Sequence, residues 1–203
     1  MNWQVEYQKW LDNSDLDEKL RKELDEEAQN EKVLEDSFYR DMEFGTAGMR
    51  GVLGPGTNRM NIYTIRKASE GLARFVAENG EDAKKRGVVI AYDPRYMSRE
   101  FAFESAAVLG KHGVKSYVFE ALRPTPELSF AVRYLNCFSG IVITASHNPP
   151  EYNGYKVYGE DGGQMPPEGA NAVTEYMNAI QDVFSVQIED LEILKTKRLV
   201  RSD

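Results

Sequence analysis

Apolar residues recur at two different spacings along this chain, and the spacing changes near residue 44. Within residues 2–40 they recur every three or four positions, as at Trp3, Tyr7 and Trp10. This spacing places the apolar side chains on one face of a helix. The N-terminal fifth of the chain is therefore predicted to be helical, with an aromatic stripe that serves as a packing surface.

After residue 44, short apolar runs alternate with longer stretches of helical periodicity. Strands are predicted at 87–92, 114–119, 139–144 and 152–158, and helices at 62–78, 98–112, 124–135 and 167–184. We expect Asn79 and Gly80 to end the first of these helices and Ser98 to cap the second. Strands that alternate with helices form βαβ units. The prediction is an α/β fold: a mostly parallel or mixed sheet with helices on both faces, preceded by a helical extension.

The segment between the two patterns is rich in glycine. Gly45, Gly48, Gly51, Gly54 and Gly56 fall within twelve residues, a density typical of a loop, a tight turn or a close backbone approach. A hairpin is an open alternative. The spacing matches neither the dinucleotide-binding nor the P-loop fingerprint, so no nucleotide site is indicated.

Charge and length divide the chain into three predicted parts. Residues 1–43 carry 14 acidic and 6 basic side chains, whereas the remainder carries 19 of each, and the net charge of the 203 residues is −8. We therefore predict an acidic helical extension at 1–43, an α/β domain at 44–187, and the start of a linker to a further domain at 188–203. No basic face indicates a nucleic-acid partner.

Other composition features exclude several classes of protein. No apolar run is long enough to span a membrane, and no basic stretch followed by an apolar one opens the chain. Cys137 is the only cysteine and the chain has two histidines, which exclude an internal disulfide and a thiolate or multi-histidine metal cage. A cytoplasmic location is the simplest expectation.

Candidate chemistry follows the third predicted strand, which leads into Thr144-Ala-Ser-His-Asn-Pro-Pro150. Ligands in open α/β sheets bind beyond the carboxyl ends of strands, so Ser146 is well placed to be a nucleophile. Pro149 favours an extended loop, in which Ser146 and His147 would point to opposite sides. His147 is then a poor base, and the G-x-S-x-G motif of hydrolases is absent.

Two interpretations of this serine remain open at this point. Ser146 can carry a phosphoryl group, which requires cations rather than a strong base. Lys156 follows within one loop, and Arg50 lies in the glycine-rich segment; both are suited to bind phosphate. Alternatively, Thr144, Ser146 and Asn148 make only local turn hydrogen bonds.

Residues 144–156 resemble the phosphoserine loop of the α-D-phosphohexomutases, the phosphoglucomutase/phosphomannomutase superfamily. Residues 44–51, Phe-Gly-Thr-Ala-Gly-Met-Arg-Gly, are similar to the family's N-terminal motif. The resemblance implies that Ser146 is phosphorylated and that its phosphate is one ligand of Mg²⁺. It also implies that Arg50, His147 and Lys156 surround the transferring phosphoryl group.

The family interconverts hexose 1-phosphate and hexose 6-phosphate through a hexose 1,6-bisphosphate, which also serves as activator. Its aspartate-rich metal loop and its sugar-binding loops belong to later domains and do not occur in this sequence. The resemblance therefore implies that the partners of this chain are the hexose phosphate and the remaining domains of a parent chain. We expect the fragment alone to be nearly inactive and to hold no complete Mg²⁺ site, with Asp93 as the first carboxylate to test. A non-catalytic module that binds sugar phosphate or protein is the alternative.

Overall fold

The computed structural model describes residues 2–46 and 48–202, and its elements follow the predicted alternation of strands and helices. Met1, Ala47 and Asp203, which belong to the predicted extension, glycine-rich motif and C-terminal segment, lie outside the described residues. In chain order the elements are α1 (Trp3–Asp12), α2 (Glu18–Glu27), α3 (Glu31–Phe38), β1 (Gly48–Val52), α4 (Ile62–Glu78), α5 (Gly80–Arg86), β2 (Val88–Tyr92), α6 (Ser98–Lys111), β3 (Ser116–Val118), α7 (Thr125–Tyr134), β4 (Ser139–Ile143), β5 (Tyr152–Tyr158), α8 (Pro167–Asn178), a 3-10 turn (Val183–Ser185), α9 (Leu191–Thr196) and β6 (Val200–Ser202). No helix among these is long and apolar enough to cross a bilayer.

The strands form one mixed sheet in the order β1-β5-β4-β2-β3-β6. Strands β4, β2, β3 and β6 run parallel to one another, whereas β5 is antiparallel to both β4 and β1. The carboxyl ends of β2 and β4 therefore lie side by side, and the amide of Asp93 donates to the carbonyl of Ile143 at 3.1 Å. The loops that follow these two strands meet at one edge of the sheet.

Helices cover both faces of the sheet, which confirms the predicted fold class. Alternate residues of β2 point to opposite faces, as strand geometry requires. Val88 and Ile90 belong to a core that includes side chains of α4, α6 and α8. Val89 and Ala91 belong to a second, smaller core that includes side chains of α7.

The predicted N-terminal helical region consists of three separate helices. Asn2, Asp17 and Asn30 cap them, each with a side-chain oxygen that accepts a backbone N–H. The indole of Trp10, 1% exposed, packs edge-on against three rings, with ring centroids 5.2–5.6 Å apart; the rings belong to Phe38, Tyr63 and Phe184. This aromatic cluster attaches the helices to α4 and to the 3-10 turn. The domain boundary between 43 and 44 stays a prediction.

Strand β1 lies in the glycine-rich segment, where the sequence predicted a loop or turn. Gly48 has φ +148°, and a Cβ there would lie only 2.0 Å from the carbonyl oxygen of Tyr155. Glycine is needed because the two backbones of β1 and β5 approach closely, so one of the expectations for this segment, a close backbone approach, is confirmed. The low strand propensity of glycine concealed the strand itself.

Several helix boundaries also differ from the predictions. Asn79 ends α4 as expected, but Gly80, at φ +94°, starts the additional helix α5. Ser98 is not a cap, because Met97 occupies the cap position in a left-handed conformation. The last long helix, α8, ends at Asn178 rather than near 184, because Asp182 accepts from the amide of Phe184 and starts the 3-10 turn.

The C-terminal segment, 188–203, was expected to begin a linker. Its described part forms α9 and β6, and β6 pairs in parallel with β3 at the edge of the sheet. A leucine side chain anchors the segment to the body: Leu194 is fully buried beside Gly110 of α6. Where the domain ends stays a prediction.

Candidate active site

Ser146 lies in a tight turn just after β4, within a segment that we call the serine loop (residues 144–151). The amide of Asn148 donates to the carbonyl of Ala145 at 3.1 Å and closes the turn. The amide of Ser146 donates to Oγ1 of Thr144 at 3.0 Å. Ser146 itself is exposed and has φ +56°, a left-handed conformation that is uncommon for a residue with a side chain.

The turn contradicts the extended loop that Pro149 suggested, and it changes the relation between the serine and the histidine. Oγ of Ser146 lies 3.4 Å from Nδ1 of His147, because the left-handed backbone turns both side chains to the same side. The distance is long for a hydrogen bond. Across residues 2–46 and 48–202, His147 forms no ion pair with a carboxylate, so the third member of a Ser-His-Asp triad is missing there.

Arg50 reaches the serine loop from β1. It pairs with Gly154 of β5 in the sheet register, and its Nη1 donates to Oδ1 of Asn148 at 2.8 Å. Arg50 and Asn148 are 98 positions apart in sequence. The fold thus brings the glycine-rich segment beside the serine loop, which is the juxtaposition that a shared phosphoryl group requires.

Lys156 lies on β5 near Arg50. It pairs with Gly48 on one side and Val142 on the other, and it is half-buried. Burial, and then the nearby charge of Arg50, hold the pKa of Lys156 below its usual value. In the described part of the chain neither Arg50 nor Lys156 has a carboxylate partner, so their positive charges reinforce each other and favour an anion.

The residue that sequence reasoning missed is Arg95. Its guanidinium lies under the serine loop and donates to backbone carbonyls of that loop. A basic side chain that follows the carboxyl end of β2 was the available signal, since β2 and β4 are neighbours. Its acceptors are main-chain oxygens, however, and no sequence pattern encodes them.

The described residues do not form a complete magnesium site. No group of three or more His, Cys, Asp or Glu residues is arranged to hold a metal among residues 2–46 and 48–202. The carboxylate of Asp93 already accepts from the amide of Arg95 and from the hydroxyl of Ser98. Mg²⁺ takes about six oxygen ligands, and the phosphate on Ser146 that the sequence resemblance implies would be only one of them.

Comparison with known proteins agrees with this fold. Residues 41–183 match the family model described as phosphoglucomutase/phosphomannomutase, alpha/beta/alpha domain I. The sequence is 42% identical over 181 residues to a phosphoglucomutase of Staphylococcus saprophyticus, an alignment that covers 89% of this chain and 32% of the relative. It is 44% identical over 153 residues to a phosphoglucomutase of Staphylococcus aureus, with 75% and 27% covered.

A solved structure extends the agreement to three dimensions. A protein of Thermus thermophilus assigned as a phosphomannomutase superimposes with a TM-score of 0.62 at 32% identity, over 78% of this chain and 36% of that one. The fold is therefore that of the first domain of a sugar-phosphate mutase. The chain belongs to the phosphoglucomutase/phosphomannomutase family, and it spans about a third of the length of the curated relatives that it matches.

Proposed function

We propose that this chain carries the phosphorylated serine of a phosphohexomutase and that Ser146 is that serine. The observation that carries the proposal is the contact between Arg50 and the serine loop, with a second cation, Lys156, two positions along β5 from the residue that pairs with Arg50. Arg50 contacts the loop directly, and Lys156 has its pKa lowered by burial and by Arg50. The exposed hydroxyl of Ser146 lies in a loop that Arg50 contacts, and Lys156 lies near Arg50. Neither cation has a carboxylate partner in the described chain, which supports the proposal because a phosphoryl group would bring the missing negative charge.

The proposed reaction moves one phosphoryl group in each direction. The phosphorus–oxygen bond to Oγ of phospho-Ser146 breaks, and a bond forms to a hydroxyl oxygen of a hexose monophosphate, whose proton ends on Oγ as the serine hydroxyl is regenerated. The resulting hexose 1,6-bisphosphate reorients in the site and transfers its other phosphoryl group to Oγ, whose proton passes to the sugar oxygen. The net change converts hexose 1-phosphate to hexose 6-phosphate or the reverse.

In this proposal the residues of the chain stabilise charge and hold geometry. Arg50 and Lys156 neutralise the oxygens of the phosphoryl group as it moves. His147, 3.4 Å from Oγ, lies close enough to interact with those oxygens or with a transferred proton. Mg²⁺, with its other ligands from outside this chain, would neutralise further charge. The requirement for Mg²⁺, the cytoplasmic location and the remaining domains as partners are all proposed from the family.

Mutase assays on the intact gene product test this function. Ser146→Ala is expected to lower turnover of hexose 1-phosphate about 10³-fold or more, because the covalent intermediate is lost. Phosphopeptide mapping of the protein without substitutions, after incubation with hexose 1,6-bisphosphate, is expected to locate the phosphoryl group on Ser146. Ser185→Ala is a matched control, since its exposed hydroxyl lies in the 3-10 turn and donates to the carbonyl of Asp182.

Two results would contradict the proposal. Turnover that survives in Ser146→Ala would remove the serine from the reaction. Binding of hexose phosphate without any phosphorylation of Ser146 would indicate the non-catalytic binding module instead. The 203-residue chain alone, which lacks most of the length of its relatives, is expected to show almost no turnover.

A further inference from the structure

The guanidinium of Arg95 satisfies four carbonyl oxygens around the serine loop at once. Its Nη1 donates to the carbonyls of Pro149 at 2.8 Å and Tyr152 at 3.0 Å. Its Nη2 donates to the carbonyls of Ser146 at 2.9 Å and Asn148 at 2.6 Å. The side chain is 14% exposed. One guanidinium thus donates hydrogen bonds to the main-chain oxygens of Ser146 and of three residues that follow it.

Neighbouring residues hold the guanidinium in this orientation. Oδ2 of Asp93 lies 3.5 Å from Nε of Arg95, and Oδ1 of Asp93 accepts from the amide of Arg95 and from the hydroxyl of Ser98. Asn153 of β5 donates to the carbonyl of Tyr96 and to Ser98, each at 3.0 Å. The segment that carries Arg95 is therefore tied to the strand that follows the serine loop.

We propose that Arg95 is the positioning residue of the serine loop: its four hydrogen bonds hold Ser146 in its left-handed conformation and direct the loop carbonyls away from the phosphoryl group. The proposal rests on the function proposed above. A carbonyl oxygen that accepts from Arg95 points its negative end at the guanidinium, so it does not repel an anion on Oγ. The left-handed conformation is unfavourable for a residue with a Cβ, and the bond to the carbonyl of Ser146 offsets that cost.

The geometry requires arginine rather than a positive charge alone. A guanidinium is planar and presents its N–H groups as a rigid fork, whereas an ammonium presents three donors around one point. Lysine at position 95 would keep the charge, but it cannot reach four oxygens that arginine contacts through two separate nitrogens. This difference separates a role of the fork from a role of the charge.

The first measurement is made on the 203-residue chain and does not depend on catalysis. NMR couplings and chemical shifts report the φ angle of Ser146 in Arg95→Lys and Arg95→Met, with Arg99→Lys and Arg99→Met as controls. Arg99 is exposed on α6 and stacks on Phe103. We expect both Arg95 variants to move Ser146 out of the left-handed region while amide exchange in β2 and β4 stays slow. A Ser146 angle that is unchanged in Arg95→Lys overturns the proposal, and Arg95→Lys decides the question if Arg95→Met does not fold.

The second measurement separates positioning from substrate binding in the intact gene product. Because Arg95 acts through the loop in this proposal, Arg95→Lys is expected to lower kcat about 10- to 100-fold while KM for hexose phosphate changes little. A loss no larger than that of Arg99→Lys, or full activity in Arg95→Lys with a loss in Arg95→Met, overturns the role of the fork. If Ser146 is never phosphorylated in the protein without substitutions, the proposed function fails. The NMR result still decides whether Arg95 holds Ser146 in its left-handed conformation.

Discussion

Gly154 is a point beside the serine loop at which a single added methyl group is expected to have a severe effect. It lies on β5, pairs with Arg50 of β1, and its carbonyl accepts from the amide of Thr144 at 3.1 Å. A Cβ at this position would lie 2.5 Å from the carbonyl oxygen of Thr144 and 3.1 Å from that of Met49. Both contacts are with backbone, so Gly154→Ala forces strands apart rather than moving a flexible side chain.

The size of the effect follows from the two interactions that change. Overpacking a well-packed interior costs about 1–3 kcal/mol, and weakening the hydrogen bond from Thr144 adds about 0.5–1.5 kcal/mol. We therefore expect Gly154→Ala to lower the free energy of unfolding by about 1.5–4.5 kcal/mol. The displacement falls on Thr144, whose Oγ1 accepts from the amide of Ser146, so phosphorylation of Ser146 is expected to slow as well.

Urea unfolding of the chain, followed by far-ultraviolet circular dichroism, measures the first effect. Gly45→Ala is the matched control, because its Cβ would meet nothing closer than the carbonyl oxygen of Gly48 at 3.6 Å. The control is expected to stay within about 0.5 kcal/mol of the unmodified chain or to gain slightly. If both variants unfold at the same urea concentration, the steric argument for the junction of β1, β5 and β4 is refuted.

Three further outcomes are expected. The pKa of Lys156 is lowered by burial and by Arg50, so the unfolded chain binds more protons between the folded and unfolded pKa values, and stability there rises with pH. Urea midpoints measured as the pH approaches the usual lysine pKa, about 10.4, are expected to lose part of this rise in Lys156→Met, and an identical slope would contradict the assignment. Trp10→Ala is expected to cost about 3–5 kcal/mol in the same assay, because the buried indole contacts three rings; a cost below about 1 kcal/mol would show that the cluster is not packed as described. Calorimetric titration of the unphosphorylated chain with Mg²⁺ is expected to show no stoichiometric site, whereas tight binding would require carboxylate ligands that the described residues do not bring together.

The sequence was sufficient for the features that depend on periodicity. The long helices α4 and α6 and the buried strands β2 and β4 lie where their apolar patterns predicted them. Strand β1 was missed because its pairing depends on a close approach that only Gly48 permits, and a glycine in isolation indicates a turn.

The site was predictable in its residue types but not in its geometry. The structure brings Arg50 and the serine loop together, as a shared phosphoryl group requires, whereas the expectation that Ser146 and His147 point apart was wrong. That expectation assumed an extended backbone, and a single left-handed residue reverses it. Arg95 was missed for a related reason: its partners are carbonyl oxygens, whose positions depend on the turn and not on the identity of the side chains.

The aromatic cluster at the N-terminal helices determines what optical spectroscopy can detect in this protein. Both tryptophans of the chain, Trp3 and Trp10, lie in α1, and the indole of Trp10 faces Tyr63 of α4. Tryptophan emission is therefore a local reporter of contact between the helical region and the α/β body, while circular dichroism averages over all elements. Emission and dichroism curves that coincide would show that both parts unfold in one cooperative step, whereas an earlier change in emission would show that the helices detach while the serine loop keeps its support.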